Sequence, residues 1–397
     1  MSIYVQHGWG KSDKILRGIS DNSISGVIWS PRDEEVGALP SAISGRGTNP
    51  MVVMLVDPQF YASTIPNPRA GKLPDYPYYP ASLLTRADFS NPQNIQDYVR
   101  NTIDYQVNLN LGRIVSPTIC FDDFQDQWSQ IALMMATASV NYHASIPNIP
   151  SLLLSFVFAE TALSSQSGLD DFLDSVSTLN ASGIYLIVRR SSQEYPTSLE
   201  PNRLENMLYL VYALAHINEF EVICGYSDFE SILLHAVGAS AIGCGWYNNL
   251  RQFSFDRFQP TRGGQQARPR YSSLQLLNSI LVEELDSIHY IGQLASVLSG
   301  NNYDNAFNNQ QTPSNTPWPL DISTLHHWSV LQHASDRVRS GTSISQSLDI
   351  SSSMIGQAEA MYQQLMRRGV TFETPSSNRN LLNWRTALLN FRNRVQI

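Results

Sequence analysis

Carboxylates and arginines recur just beyond apolar runs in this 397-residue chain, and that placement is what gives them chemical interest. Asp57 ends the run Met51–Val56, where a charge is costly unless it is paired or faces an opening. Glu160 follows Leu152–Phe158 in the same way, and Asp122 lies beyond the run Arg113–Ser116. Two facing carboxylates can supply a nucleophile or base and a general acid, provided their surroundings separate their pKa values. Asp57 is thus expected as nucleophile or general base, with Glu160 or Asp122 as its acid partner. The plainer reading has Asp57 capping a turn and Glu160 paired with Arg189. Asp122, Asp123 and Asp126, together with Asp57 and Glu160, carry the oxygen ligands that Mg²⁺ takes. Asp123 and Asp126 also read as the cap and first turn of a helix, so no metal site is assigned.

A second group of residues suits an anion. Gly238, Gly243 and Gly245 surround the run Ala239–Cys244, and glycines let backbone amides approach a phosphate closely. Arg251, Arg257, Arg262, Arg268 and Arg270 follow within 20 residues against a single acid, Asp256, with Phe253, Phe255, Phe258 and Tyr271 interleaved. A basic loop with aromatics can hold backbone phosphates while stacking bases. Arg32 and Arg189 stand beyond two other apolar runs and join this phosphate- or nucleic-acid-binding set. The competing reading is a surface loop whose arginines pair with an acidic rim.

Other motifs lead elsewhere. Gly8-Trp9-Gly10-Lys11-Ser12 looks like the end of a P-loop, but its first glycine would fall at Val5, and Ser12 reads as a helix cap. Ser227 and Glu230 have capping-box spacing, which makes Asp228 part of a helix start. His326, His327 and His333 read as a polar helix face, with no companion ligand for zinc. Cys224 and Cys244 end two apolar runs as ordinary buried thiols. No G-x-G-x-x-G follows a strand, and there is no G-x-S-x-G, so dinucleotide binding and a hydrolase elbow are both disfavoured.

The elements that would position these residues are regular. Eight strand-like runs, Ile3–His7, Gly26–Ser30, Met51–Asp57, Arg113–Ser116, Leu152–Phe158, Gly183–Arg189, Glu221–Cys224 and Ala239–Cys244, alternate with helix-like segments such as Asp126–His143 and Leu204–Ile217. Near-continuous aliphatic stretches (MVVMLV, SLLLSFVF, GIYLIV) suit parallel strands covered on both faces. Eight units in about 245 residues have the size and count of a (β/α)8 barrel, with a doubly wound open sheet as the alternative. The expected organisation is a barrel over 1–299 with an Arg-rich loop at 246–272, an Asn/Gln/Pro-rich linker at 300–320, and a helical C-terminal region at 321–397 packed on the barrel. A helical stretch is expected from about Ser273 to Leu298, and residues 300–319 are expected to form a linker or a mobile loop.

Composition narrows the class. Apolar residues make up 42% and aromatics are plentiful, which argues for a large core and against disorder. No apolar run approaches 18 residues, so no membrane partner is expected. Three scattered cysteines and an N-terminus without a leader pattern fit a cytoplasmic chain. Only three of the 26 cationic residues are lysine, leaving 23 arginines, whose planar fork suits phosphate and carboxylate alike. The net charge is −8 overall, yet residues 321–397 carry 8 Arg against 5 acids. An acidic body does not bind polyanions generally, so phosphate contact must come from a local patch.

A barrel with rim aspartates and an Arg-rich addition is similar, at the level of fold, to tRNA-guanine transglycosylases, although their zinc motif of three cysteines and a histidine is absent. The expected function is a barrel enzyme acting on a phosphate-bearing substrate, a nucleotide or nucleic acid, by carboxylate-assisted transfer or cleavage at a glycosidic bond. No cofactor is expected beyond optional Mg²⁺. The alternative is a catalytically silent barrel serving as a subunit of a larger assembly, or self-associating, through its C-terminal helices. A plain glycosidase with rim aromatics Tyr61, Tyr78, Tyr79 and Trp246 would leave the Arg-rich loop unexplained.

Overall fold

The computed structural model describes residues 2–10, 13–45, 51–191, 195–196, 198–259, 268–308 and 311–397. Eight parallel strands form a nearly closed barrel with helices between them. They are β1 (Ile3–Gln6), β2 (Gly26–Trp29), β3 (Val53–Val56), β4 (Arg113–Val115), β6 (Ser151–Ala159), β7 (Gly183–Arg189), β8 (Glu221–Cys224) and β9 (Ala241–Gly243). The hydrogen-bonded order is β3-β2-β1-β9-β8-β7-β6-β4, and β3 lies beside β4 across the remaining gap. A two-residue strand, β5 (Cys120–Phe121), pairs with the far end of β6 while β4 pairs with its start. Together β4 and β5 make one stave, interrupted where Pro117 removes a ladder donor. The eight expected runs are these eight strands, and nearly all their aliphatic residues are buried, on both faces, as helices on the outside require.

The C-terminal region packs against the barrel. Trp328, on the helix Leu320–Arg339, is buried and donates its indole N–H to Cys244 O at 3.1 Å. His326 and His327 on the same helix are fully buried, not on a polar face. The expected helix from Ser273 instead begins as an antiparallel hairpin, β10 (Arg270–Ser273) with β11 (Asn278–Leu281). Leu277 takes a φ of 49°, which breaks a right-handed helix there. The helix starts only at Val282, where the Glu284 carboxylate accepts from Leu281 N at 2.7 Å.

The described part of the expected linker is ordered by short 3₁₀ turns at Asn302–Phe307 and Pro313–Asn315. Phe307 and Trp318 are buried, and Asp304 accepts from the Tyr271 hydroxyl at 2.7 Å. Two aromatic anchors do what a count of aliphatic residues misses. Among the described residues, no helix is long and apolar enough to cross a membrane.

Candidate functional site

In parallel barrels the loops after the strands gather at one face, and functional groups sit there. At this face Asp57, the residue after β3, is 1% exposed. Its Oδ1 accepts from Gln59 N at 3.1 Å and its Oδ2 from the Tyr61 hydroxyl at 2.9 Å. Burial pushes its carboxyl up to about 6, against the opposing pull of those two donors and of Arg257. The Tyr61 hydroxyl is raised well above its ordinary value by burial and by the nearby carboxylate.

Arg257 sits on the neighbouring side, also buried. Its guanidinium donates to Tyr226 Oη at 2.8 Å and Ser30 Oγ at 2.9 Å, and it is ion-paired with Asp33. Arg32 completes the group, donating to Asp33 Oδ1 at 2.7 Å and to Arg257 O at 2.7 Å. Two arginines thus share one aspartate, and the surplus positive charge is felt by Asp57. Gln6 and Tyr185, from β1 and β7, meet at 3.3 Å, and both Asp57 and Arg257 act on the Tyr185 hydroxyl. Burial lifts Tyr226 to about 12, with Arg257 opposing. A carboxyl able to hold or release a proton near neutrality, flanked by hydroxyls and a fixed cation, can exchange a proton with a reacting group.

The roof over this cluster is aromatic. Phe253 packs edge-on against Tyr61 at 5.3 Å and Phe258 does so at 6.1 Å; all three rings are buried. The roof is tied down by Arg190 N→Phe253 O at 2.8 Å and Arg69 N→Phe258 O at 2.6 Å.

The other expected carboxylates lie in separate groups. Glu160 accepts from Ser191 N and faces Arg190 at 3.7 Å and Arg203 at 3.8 Å; its expected pairing with Arg189 is made only through the backbone, Glu160 N→Arg189 O at 2.9 Å. The Arg189 side chain instead bridges to the exposed Asp122 at 2.6 Å and lies 4.7 Å from the Phe255 ring centroid. No hydrogen bond or ion pair among the described residues joins Asp57 to Glu160 or Asp122. Asp126 caps the helix Gln127–Ala144, accepting from Ser129 N at 2.6 Å. Among the described residues, no group of three or more His, Cys, Asp or Glu side chains is arranged to hold a metal ion.

The expected anion-binding residues are mostly turned inward. Gly243 is paired within β9, its carbonyl accepting from Ser227 N at 2.8 Å, and Gly245 N donates to Leu250 O at 3.0 Å. The buried Arg251 donates to Gly245 O at 2.9 Å. Arg270 donates to Ser279 O at 2.6 Å and Ser376 Oγ at 3.0 Å, while Arg268 pairs with Glu373 on the surface at 2.7 Å. Arg262 lies outside the described residues. Phe253, Phe258 and Tyr271, expected as stacking partners, are fully buried core rings.

One polar group was hidden from sequence reasoning. Asp228, read as part of a capping box, is half-buried beside His327, 3.2 Å from its Nε2, and accepts from the Tyr195 hydroxyl. The box is not formed: the helix begins at Ser231, the Ser227 hydroxyl turns to Gly225 O at 3.5 Å, and Glu230 pairs with Arg190 at 2.7 Å. Cys244 Sγ lies 3.5 Å from the same His327 nitrogen, and His327 Nδ1 lies 2.7 Å from Ser272 Oγ. Burial lowers His327 to about 4 and pushes the Cys244 thiol far up, so this group is a neutral imidazole beside an inert thiol and joins the barrel to the C-terminal helix. No local spacing predicts it, because its members are 16, 28 and 55 residues apart along the chain. A groove of about 580 Å³, lined by Ile95, Leu133, Met134 and Tyr142, lies between the outer helices Pro92–Val107 and Gln127–Ala144, away from the strand ends. No protein-family model and no curated protein matches the chain.

Proposed function

We propose that this barrel is an enzyme acting at the glycosidic bond of a phosphate-bearing nucleotide or nucleic acid, with Asp57 as the proton-transfer group. One observation carries the reading: a carboxyl held near 6 by burial, at the end of a barrel strand, beside a buried arginine. A protonated Asp57 gives its proton to the departing base as the carbon–nitrogen bond breaks. Water, or an incoming base, then bonds to the sugar carbon and returns a proton to the Asp57 carboxylate, so charge and atoms balance. The raised value favours this acid role over that of nucleophile. Surplus charge in the Arg32–Asp33–Arg257 group favours an anionic substrate, and because Asp57 is 1% exposed, a substrate reaches it only when the packing around it opens.

The test is release of free base from nucleoside monophosphates, short RNA and short DNA, followed by chromatography. Wild type should release base from one of these, and Asp57→Asn should be at least 100-fold slower while remaining folded. No release by wild type, or equal release by the variant, overturns the reading. The closed roof itself favours a second reading, a catalytically silent barrel within an assembly. That reading predicts no turnover, together with concentration-dependent self-association of the full chain in sedimentation.

A further inference from the structure

Trp9, in the loop after β1, is 74% exposed, an unusual display for a side chain that is normally mostly buried. The described part of its loop, residues 8–10, is held in place. A Cβ at Gly8 would collide with the Leu250 side chain, and Gly10 holds a φ of 116° that other residues rarely adopt. The indole N–H of Trp246, a buried ring in the loop after β9, donates to Trp9 O at 3.3 Å. Trp246 also meets the ring of Tyr247 edge-on at 6.3 Å, and Tyr247 is 41% exposed. Because β1 pairs with β9, the two loops are neighbours on the face that carries Asp57, and a Cβ at Gly10 would sit 3.7 Å from the Tyr247 hydroxyl. The Lys14 ammonium lies 5.4 Å from the Trp246 ring centroid, with the carboxylates of Asp13 and Asp321 acting on it.

We infer that Trp9 and Tyr247 form a stacking platform for a nucleobase of the substrate. The inference rests on the functional reading above and deepens it. Exposed flat rings on backbone held in this way lose little freedom when a base stacks on them, and a base offers the π-face that a neutral sugar lacks.

The experiment uses the full chain and two matched probe pairs: a fluorescent single-stranded thymidine octamer against the same octamer with abasic sugars, and adenosine monophosphate against ribose 5-phosphate. Wild type should bind each base-bearing probe about tenfold or more tightly than its base-free match. Trp9→Ala should erase that preference without changing the melting temperature, and Trp9→Phe should keep most of it. Asp57→Asn should bind as wild type does, which separates binding from turnover. Equal wild-type affinity within each pair, or a preference untouched by Trp9→Ala, overturns the platform and leaves the role of Asp57 standing. Failure of all four probes to bind overturns both.

Discussion

Replacing Asp57 by Asn should stabilise this protein at neutral pH and mildly destabilise it in acid. In the folded chain the Asp57 carboxyl lies at about 6 against an ordinary 3.8. The folded state therefore binds the proton more tightly than the unfolded state, and stability falls as pH rises from about 3.8 to 6. Above that window the full cost of burying the charge applies, about 3 kcal/mol at 1.36 kcal/mol per pKa unit. Asn removes that cost, but its amide replaces one of the two accepting oxygens by an NH2 donor, so either the Gln59 N or the Tyr61 hydroxyl loses its acceptor, a loss of about 1 kcal/mol. The net gain is about 2 kcal/mol at pH 7.5 and a loss of about 1 kcal/mol near pH 3, below the window. An unfolding entropy of about 2.1 cal/mol/K per residue over the whole chain translates these into about +2.5 °C and −1 °C in Tm. Matched calorimetric scans of wild type and variant at the two pH values read the difference at one scan rate. A variant destabilised equally at both values would refute the buried, high-pKa assignment.

Other perturbations have equally definite outcomes. Arg257→Met leaves Asp33 with only Arg32 as its cationic partner and should cost about 3–5 kcal/mol, read as a fall in the urea midpoint; an unchanged midpoint would remove Arg257 from the network. His235, buried with Nδ1 donating to Ala239 O, is held at about 4 against an ordinary 6.5. The unfolded chain therefore takes up a proton between those values, stability falls as pH drops through them, and His235→Gln should cut proton uptake on unfolding at pH 5 by about one. Phe253→Ala should lower stability by about 3–5 kcal/mol, because the buried ring closes the roof over Tyr61; a loss under 1 kcal/mol would show that the roof is loosely packed.

The barrel was legible because its strands are covered on both faces, and such strands read as unbroken aliphatic runs such as SLLLSFVF. The hairpin at 270–281 was not, since Tyr271, Leu276, Ile280 and Leu285 suit a helix as well as a strand, and only the left-handed Leu277 decides between them. Asp57 stood out because a charge ends the strongest run. Its partners did not, because Arg257 lies 200 residues away and reads, from sequence, as one of several solvated arginines. The same ambiguity affected Phe253 and Phe258: aromatic interleaving marks a stacking surface or a core, and burial alone chooses the core. Asp228 and His327 meet only through tertiary packing, so a capping-box pattern at Ser227–Glu230 masked one of them.

The most direct measurement is a carbon-13 titration of the aspartate side-chain carboxyls, with Asp57→Asn used to assign the Asp57 resonance. The account predicts one resonance, absent from the variant, that titrates near pH 6. A wild-type Asp57 resonance already ionised below pH 4 would contradict it, leaving no proton at that carboxyl to transfer near neutrality.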